Sequence, residues 1–464
     1  MNKDMIKDIM DVVSIPSVYN PKGTPDAPFG TEVAKCLDKV LEIGEKLGYK
    51  TVNYDGYVGE LNMGNGPDII GVLGHCDVVA AGEGWDTEPF EPILKDNKIY
   101  GRGSADDKGP LIACLYGVKE LKDQGKIPEN ITVRVIVGTN EEEDWEDIPH
   151  YLEKVETLPM YSIVPDAEFP LIYCEKGLYD VDIVSKYSKS DSRLLLREFI
   201  GGSARNAVAA KAVATIEVSG YATDEIASIL EKEFENKNIS GTVSTDGNKI
   251  NILVTGKNAH AMNPEKGINA GANLIKLLSA LDEYDFSHKD FVREFRRLID
   301  DDYTGKRCGL DCMDEDSGAL TLNVGTYALN ESGNIRLQLS IRYPASLDFD
   351  DIREKTLKSL NTDTLAVVEI TDMKPVSFNR DDEFIELLMK TYQDITQDFE
   401  SEPMSIGGAT YARVLPNAVA FGPVFPYETE LAHEPNEFID LESLEKAKEI
   451  YTLAIERICE KFKK

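Results

Sequence analysis

Two short apolar runs, PDIIGVLGH (residues 67–75) and ITVRVIVGTN (131–140), limit what this chain can fold into more than any other feature. Both are rich in β-branched residues and place apolar side chains at successive positions, as strands buried on both faces do. Between them, GPLIACLYGVKELKDQG (109–125) repeats its apolar residues at helical spacing and closes on Gly125. A further run, MYSIVPDAEFP (160–170), reads as a strand that ends at Pro165 and Asp166. Strand, helix and strand in this order imply an α/β fold with a mostly parallel sheet covered by helices. Functional groups on such sheets gather at the carboxyl ends of the strands. His75, Glu141 and Asp166 would sit there.

The middle of the chain differs. AKAVATIEVSG (210–220), NKINILVTGKNAH (248–260) and NIRLQLSIRYP (334–344) alternate like half-exposed antiparallel strands. Helical stretches such as TDEIASILEKEFENK and GINAGANLIKLLSALDEY lie between them. After about residue 375 the earlier style returns. A chain of 464 residues is too long for one core. The simplest account is one α/β domain formed by residues 1–184 and 376–464, with an α+β domain, 185–375, inserted into it.

The N-terminal MNKDMIKDIMDVVSIPS mixes charged and apolar residues like an amphipathic helix, unlike a signal peptide. No apolar run approaches the roughly 18 residues of a membrane helix. No membrane partner is expected, and the expected location is the cytoplasm. The net charge of −33 argues against nucleic acid as a partner. Seven scattered cysteines fit reduced thiols. Cys308 and Cys312, in CGLDC, read as two isolated thiols and not as a zinc site.

Five histidines punctuate the sequence: His75, His150, His260, His288 and His433. His150 and His288 lie in charged segments and read as surface residues. His75 follows a strand in GHCDVVAAGEGWDTEPF, and His433 lies in the loop segment ELAHEPNEF. Three acidic clusters join them: Asp106 and Asp107 in YGRGSADDKGP, Glu141 to Glu143 in GTNEEED, and Asp166 with Glu168 in VPDAEFP. Two histidines and three carboxylates suffice for two divalent cations that share a bridging carboxylate. Imidazole with carboxylate suits zinc, manganese or cobalt better than calcium. Of the adjacent Glu141 and Glu142, one could ligate and the other remain a free base. Asp77 shares the strand face of His75 and could hold that ring's second nitrogen.

Taken in order, GHCDVV, YGRGSADDKGP, GTNEEED, VPDAEFP and AHEPNEF resemble the M20 family of metallopeptidases. Within it the chain is similar to the PepV-type dipeptidase branch, through GWDTEPFEP, PDAEFP, IRYPA and GGATYARVLPNAVAFGP. The resemblance implies a dipeptidase holding two divalent metals, zinc first, with manganese or cobalt also suited. His75 and Asp166 would bind one metal, Glu142 and His433 the other, and Asp106 would bridge. Glu141 would be the general acid/base, and Asp77 the residue orienting its neighbours. The inserted domain would be a lid. From it His260 would stabilise the oxyanion, Asn206 would contact substrate and Arg342 would hold the substrate's carboxylate. Gly407 and Gly408 would line the pocket with backbone groups. Two departures bear on recognition: Ala209 and Ala210 replace the usual proline and acid after Asn206, and Ala261 replaces glycine after His260. The expected substrate is a short peptide and the expected state a monomer, with a homodimer as the other option. The alternatives are an N-acyl-amino-acid deacylase or desuccinylase of the same family, and a non-catalytic binding protein.

Overall fold

The two apolar runs become the inner strands of a sheet. A computed structural model describes residues 2–186, 191–429 and 431–464. Met1, of the expected N-terminal helix, residues 187–190, of the expected inserted domain, and Glu430, of ELAHEPNEF, lie outside the described residues. Strands Asp68–His75 and Ile131–Gly138 pair in parallel, with His75 opposite Gly138. Tyr161–Val164 pairs in parallel on the other side of Asp68–His75, and Ala418–Ala420 continues the parallel set. Val58–Gly64 and Lys50–Tyr54 extend the sheet antiparallel beyond Ile131–Gly138. Every residue of Asp68–His75 after Asp68 is buried, which requires cover on both faces. Each apolar side chain so buried contributes on the order of 1.5–3 kcal/mol.

Helices supply the cover, and their ends follow local chemistry. Asn2 accepts the Asp4 N–H at 2.9 Å and starts the amphipathic helix Lys3–Val13. Asp440 accepts from Glu442 and Ser443 and starts Leu441–Lys461. Helix Lys108–Asp123 ends just before Gly125, whose φ of 69° is the left-handed stop expected there. These elements belong to one compact unit, Met1–Tyr173 with Phe378–Met404 and Ala409–Lys464.

The other unit comprises Cys174–Ser377 and Ser405–Gly408. Its sheet has eight strands, in the order Ser240–Asp246, Lys249–Thr255, Lys211–Val218, Leu194–Gly201, Thr321–Leu329, Ile335–Tyr343, Gly177–Ser185 and Leu365–Met373. All neighbours are antiparallel. Lys211–Val218 alternates buried with less buried residues, as a sheet with one covered face must. Ile226, Leu230, Leu274, Ile275, Phe291, Phe295 and Ile352 from four helices form the cover.

One expectation fails here. His288 is buried, not on the surface. Its Nδ1 lies 2.8 Å from Ser287 Oγ and its Nε2 2.9 Å from the Gly333 carbonyl. Burial pushes its pKa down, and the Gly333 contact offsets part of that. His150 is half-buried, with its ring stacked on Tyr57 at 4.0 Å and Nε2 3.0 Å from Asp55. All seven cysteines are free, Cys308 and Cys312 included. No helix among the described residues is long and apolar enough to cross a membrane.

Candidate metal centre

The central strand Asp68–His75 ends at His75, with carboxylates arriving from both sides. The neighbouring strand Ile131–Gly138 runs on into Glu141 and Glu142, and Tyr161–Val164 runs on into Asp166. Glycine precedes the site on two strands because packing leaves no room. A Cβ at Gly74 would strike the Asp107 carboxylate, and one at Gly138 would strike the Tyr411 ring. Asp106 lies in the turn that leads into helix Lys108–Asp123.

Two groups of ligand-type atoms result, His75 with Asp106 and Asp166, and His433 with Asp106 and Glu142. Asp106 belongs to both. Its Oδ1 lies 3.1 Å from His75 Nε2, and its Oδ2 lies 3.2 Å from His433 Nε2. Asp166 Oδ2 is 3.5 Å from His75 Nε2, and Glu142 Oε2 is 2.9 Å from His433 Nε2. Within each group the atoms lie within 4.8 Å of one another. Such mixed nitrogen and oxygen donors, with one carboxylate facing two ways, fit a pair of divalent transition cations.

The electrostatics point the same way. Burial raises the pKa of Glu141, and the nearby Asp166 raises it further, against the opposing pull of His75. Burial and Asp106 lift Glu142 to about 7, with His433 pulling it back. Asp166 is raised by burial and by Asp106. Burial works against charge on Asp106 too, but His433 and His75 hold it well below the carboxylate range. Burial would strip the proton from His75, yet Asp166, Asp106 and Asp77 overcome this and keep its pKa high. Hydrogen bonds to Asp106 and Glu142 raise His433 as well. Its side chain is 56% exposed, so water screens part of that attraction. This much negative charge in one place calls for positive charge from outside the chain.

The remaining expected residues lie outside these two groups. Asp77 accepts the N–H groups of Glu141 at 3.2 Å and Glu142 at 3.1 Å. Its carboxylate is 3.4 Å from His75 Nδ1, while its backbone carbonyl is nearer, at 3.1 Å. Asp77 thus fixes the turn carrying both glutamates as well as the imidazole. Asn206, His260, Arg342, Gly407 and Gly408 belong to the other unit. There, Ala261 donates its N–H to the Asn206 carbonyl at 2.8 Å. The Met262 N–H donates to His260 Nδ1 at 3.2 Å, which leaves the proton of a neutral ring on Nε2. Gly407 approaches Met262 so closely that a Cβ there would press on the Met262 side chain. Arg342 is buried and stands opposite Thr321, whose hydroxyl donates to the Ala261 carbonyl at 3.4 Å.

Several residues that sequence reasoning passed over support the centre. Glu437 Oε2 pairs with Arg102 at 2.8 Å, across 335 positions of sequence, and both side chains are buried. The Glu437 carboxylate also accepts the N–H groups of Gly103, Ala105 and Asp106. Arg102 donates to the His433 carbonyl at 3.1 Å. One ion pair therefore anchors the loops of both Asp106 and His433. Arg102 and Glu437 stand inside YGRGSADDKGP and AHEPNEF, so those motifs were the available signal. GEGWDTEPF joins the same assembly: Asp86 donates its N–H to Asn436 at 2.8 Å, and Arg102 lies 5.3 Å over the Trp85 ring. Asp107 is buried, accepts the His75 N–H at 3.2 Å and has its pKa raised well above the usual range by burial and then by Asp166. Asp147 accepts the Thr139 N–H at 2.8 Å and the Tyr411 hydroxyl at 2.6 Å, bracing the turn before Glu141.

Similar proteins match the chain over nearly its whole length. The profile of "Peptidase family M20/M25/M40" matches residues 71–457. A Bacillus subtilis (strain 168) protein described as "Putative dipeptidase YtjP" is 37% identical, over 98% of this chain and 96% of its own. A Staphylococcus epidermidis protein of like description is 34% identical, over 98% and 97%. Among solved structures, human carnosine dipeptidase 1 shares the fold with a TM-score of 0.57 at 15% identity, over 98% of this chain and 96% of that one. With a profile match over most of its length and full-length relatives above 30% identity, the chain belongs to peptidase family M20/M25/M40.

Proposed function

We propose that this protein is a dipeptidase that hydrolyses short peptides with two divalent cations, zinc first, with manganese or cobalt also suited. One observation carries the reading: Asp106 offers one oxygen to each of two histidine–carboxylate groups, beside the half-buried Glu141. His75, Asp106 and Asp166 would hold one cation, and Asp106, Glu142 and His433 the other. Two such cations, when bound, make a shared water nucleophilic near neutral pH and polarise a carbonyl. Glu141 takes the proton of the attacking water as its oxygen adds to the peptide carbon. It then delivers that proton to the amine nitrogen as the C–N bond breaks. Asp77 keeps the Glu141–Glu142 turn in place. The unit built on Cys174–Ser377 acts as the lid and carries the recognition residues. His260 donates Nε2–H to the oxyanion, Asn206 and the backbone at Gly407 and Gly408 contact the substrate, and Arg342 binds its terminal carboxylate. The descriptions of the relatives support dipeptides over other amides. Free thiols throughout support a reducing, cytoplasmic location, and a monomer is the proposed state.

The test is a panel of dipeptides assayed beside N-acetyl and N-succinyl amino acids, before and after chelation and metal restoration. Dipeptide hydrolysis that chelation removes and metal restores is the expected result. Turnover of the N-acyl compounds alone would make the protein a deacylase, and no turnover of anything would leave a binding protein.

A further inference from the structure

We propose that Asn323 is a positioning residue for substrate recognition, holding the segment that presents Asn206 and, through it, the loop of His260; its functional meaning rests on the peptidase reading above. Strand Thr321–Leu329 changes register against Ile335–Tyr343 between Val324 and Thr326, so Gly325 is an extra, bulged residue. The segment 204–207 lies directly across that bulge. A Cβ at Gly325 would strike the carbonyl oxygens of Ala204 and Arg205. Asn323, two residues earlier and only 3% exposed, donates from Nδ2 to the carbonyls of Arg205 at 3.1 Å and Ala207 at 3.0 Å.

Those two carbonyls flank Asn206. A side chain that satisfies both needs two donors on one short planar group. Asparagine has them at this reach, whereas aspartate has none and serine has one. Arg205 adds a second anchor, with its guanidinium 2.7 Å from the buried Asp182 and 3.4 Å from Asp180. Nothing of this uses the Asn206 side chain, which is exposed.

The hold passes on to His260 through backbone. Ala207 and His260 form an isolated antiparallel bridge. Val208 donates to the Ala259 carbonyl and Ala261 to the Asn206 carbonyl, each at 2.8 Å. Thr321, on the same strand as Asn323, donates its hydroxyl to the Ala261 carbonyl at 3.4 Å. One strand therefore grips both recognition loops, and Asn323 is the grip under Asn206. Its removal leaves two carbonyls without their buried donors, which raises the population of locally opened loops about tenfold or more.

The test uses the full chain and three variants: Asn323→Asp, close in shape but without donors, Asn206→Ala, and the two combined. Amide hydrogen exchange is read over 203–208 and 257–262, and kcat and KM are measured on the dipeptide panel. Exchange in both segments should quicken about tenfold in Asn323→Asp, while strands Gly177–Ser185 and Ile335–Tyr343 keep their protection. The value of kcat/KM should fall about tenfold or more, and the combined variant should lose less than the product of the two single losses, because the part that Asn323 exerts through the Asn206 side chain is already gone. Unchanged exchange in both segments, or losses that multiply in the combined variant, would overturn the proposal. If Asn323→Asp does not fold, Asn323→Ser carries the same readouts. Exchange needs no substrate, so a wild-type protein that hydrolyses no dipeptide refutes the function while exchange still judges Asn323.

Discussion

Replacing Glu437 with alanine is the sharpest perturbation of the centre, because it removes support from the ligand loops while replacing no proposed metal ligand. The substitution leaves the buried Arg102 guanidinium without its partner at 2.8 Å. Breaking one side of a buried pair costs about 3–5 kcal/mol. The N–H groups of Gly103, Ala105 and Asp106 lose their acceptor as well, and each such loss costs about 1–3 kcal/mol. These terms share one carboxylate and do not simply add, so a total near 4 kcal/mol is a fair expectation at the low end of both ranges. Against a domain stability of about 5–15 kcal/mol, that is a large fraction. Both tryptophans, Trp85 and Trp145, lie in the unit that holds the centre. Urea unfolding followed by tryptophan fluorescence therefore reports on that unit. The double variant Arg102→Met/Glu437→Met should recover part of the loss, because no charge is left unpaired. Cation binding, read by competition with a chromophoric chelator, should weaken most at the group that includes His433. That group depends on loops held by the pair, whereas His75 and Asp166 come straight from strand ends. A stability loss below about 1 kcal/mol, or equal losses in the single and double variants, would refute the reasoning.

Other consequences follow from the same geometry. Glu141→Gln should lower kcat by about 10²–10⁴-fold, the usual worth of a positioned acid/base, while elemental analysis still finds two cations per chain; loss of metal instead would make Glu141 a ligand. Because Glu142 is lifted to about 7 by burial and Asp106, a cation must displace its proton below that pH, so affinity should fall as pH drops from 8 to 6. Titration calorimetry in buffers of different ionisation enthalpy checks this, and an affinity independent of pH would contradict it. His288 has its pKa pushed below the ordinary value of 6.5 by burial, so below that value the unfolded chain binds a proton that the folded chain does not. Its contribution to stability is therefore present at neutral pH and lost as pH falls below 6.5. His288→Gln should flatten that part of the stability profile, measured by denaturant unfolding.

Local patterns in the sequence carried the fold class and the candidate ligands. The β-branched runs at 67–75 and 131–140 could be read as buried inner strands, and His75 and Glu142 lie just where those strands end, as Asp166 does after Tyr161–Val164. Periodicity and motif are local properties, visible without knowing what lies across the core. The Arg102–Glu437 pair had no such visibility, since its partners stand 335 residues apart and only the folded chain makes them neighbours. Asn323 carried no local signal, and only the fold sets it against the two carbonyls that flank Asn206. His288 went astray for a related reason: its charged surroundings suggested solvent, but burial is set by which face of a helix start meets the core. By itself, then, the sequence determined which residues could ligate and on what kind of sheet they would stand. Tertiary structure alone decided that Asp106 would face two histidines at once, and which buried pairs would hold it there, because those facts depend on distances between segments that the chain order does not encode.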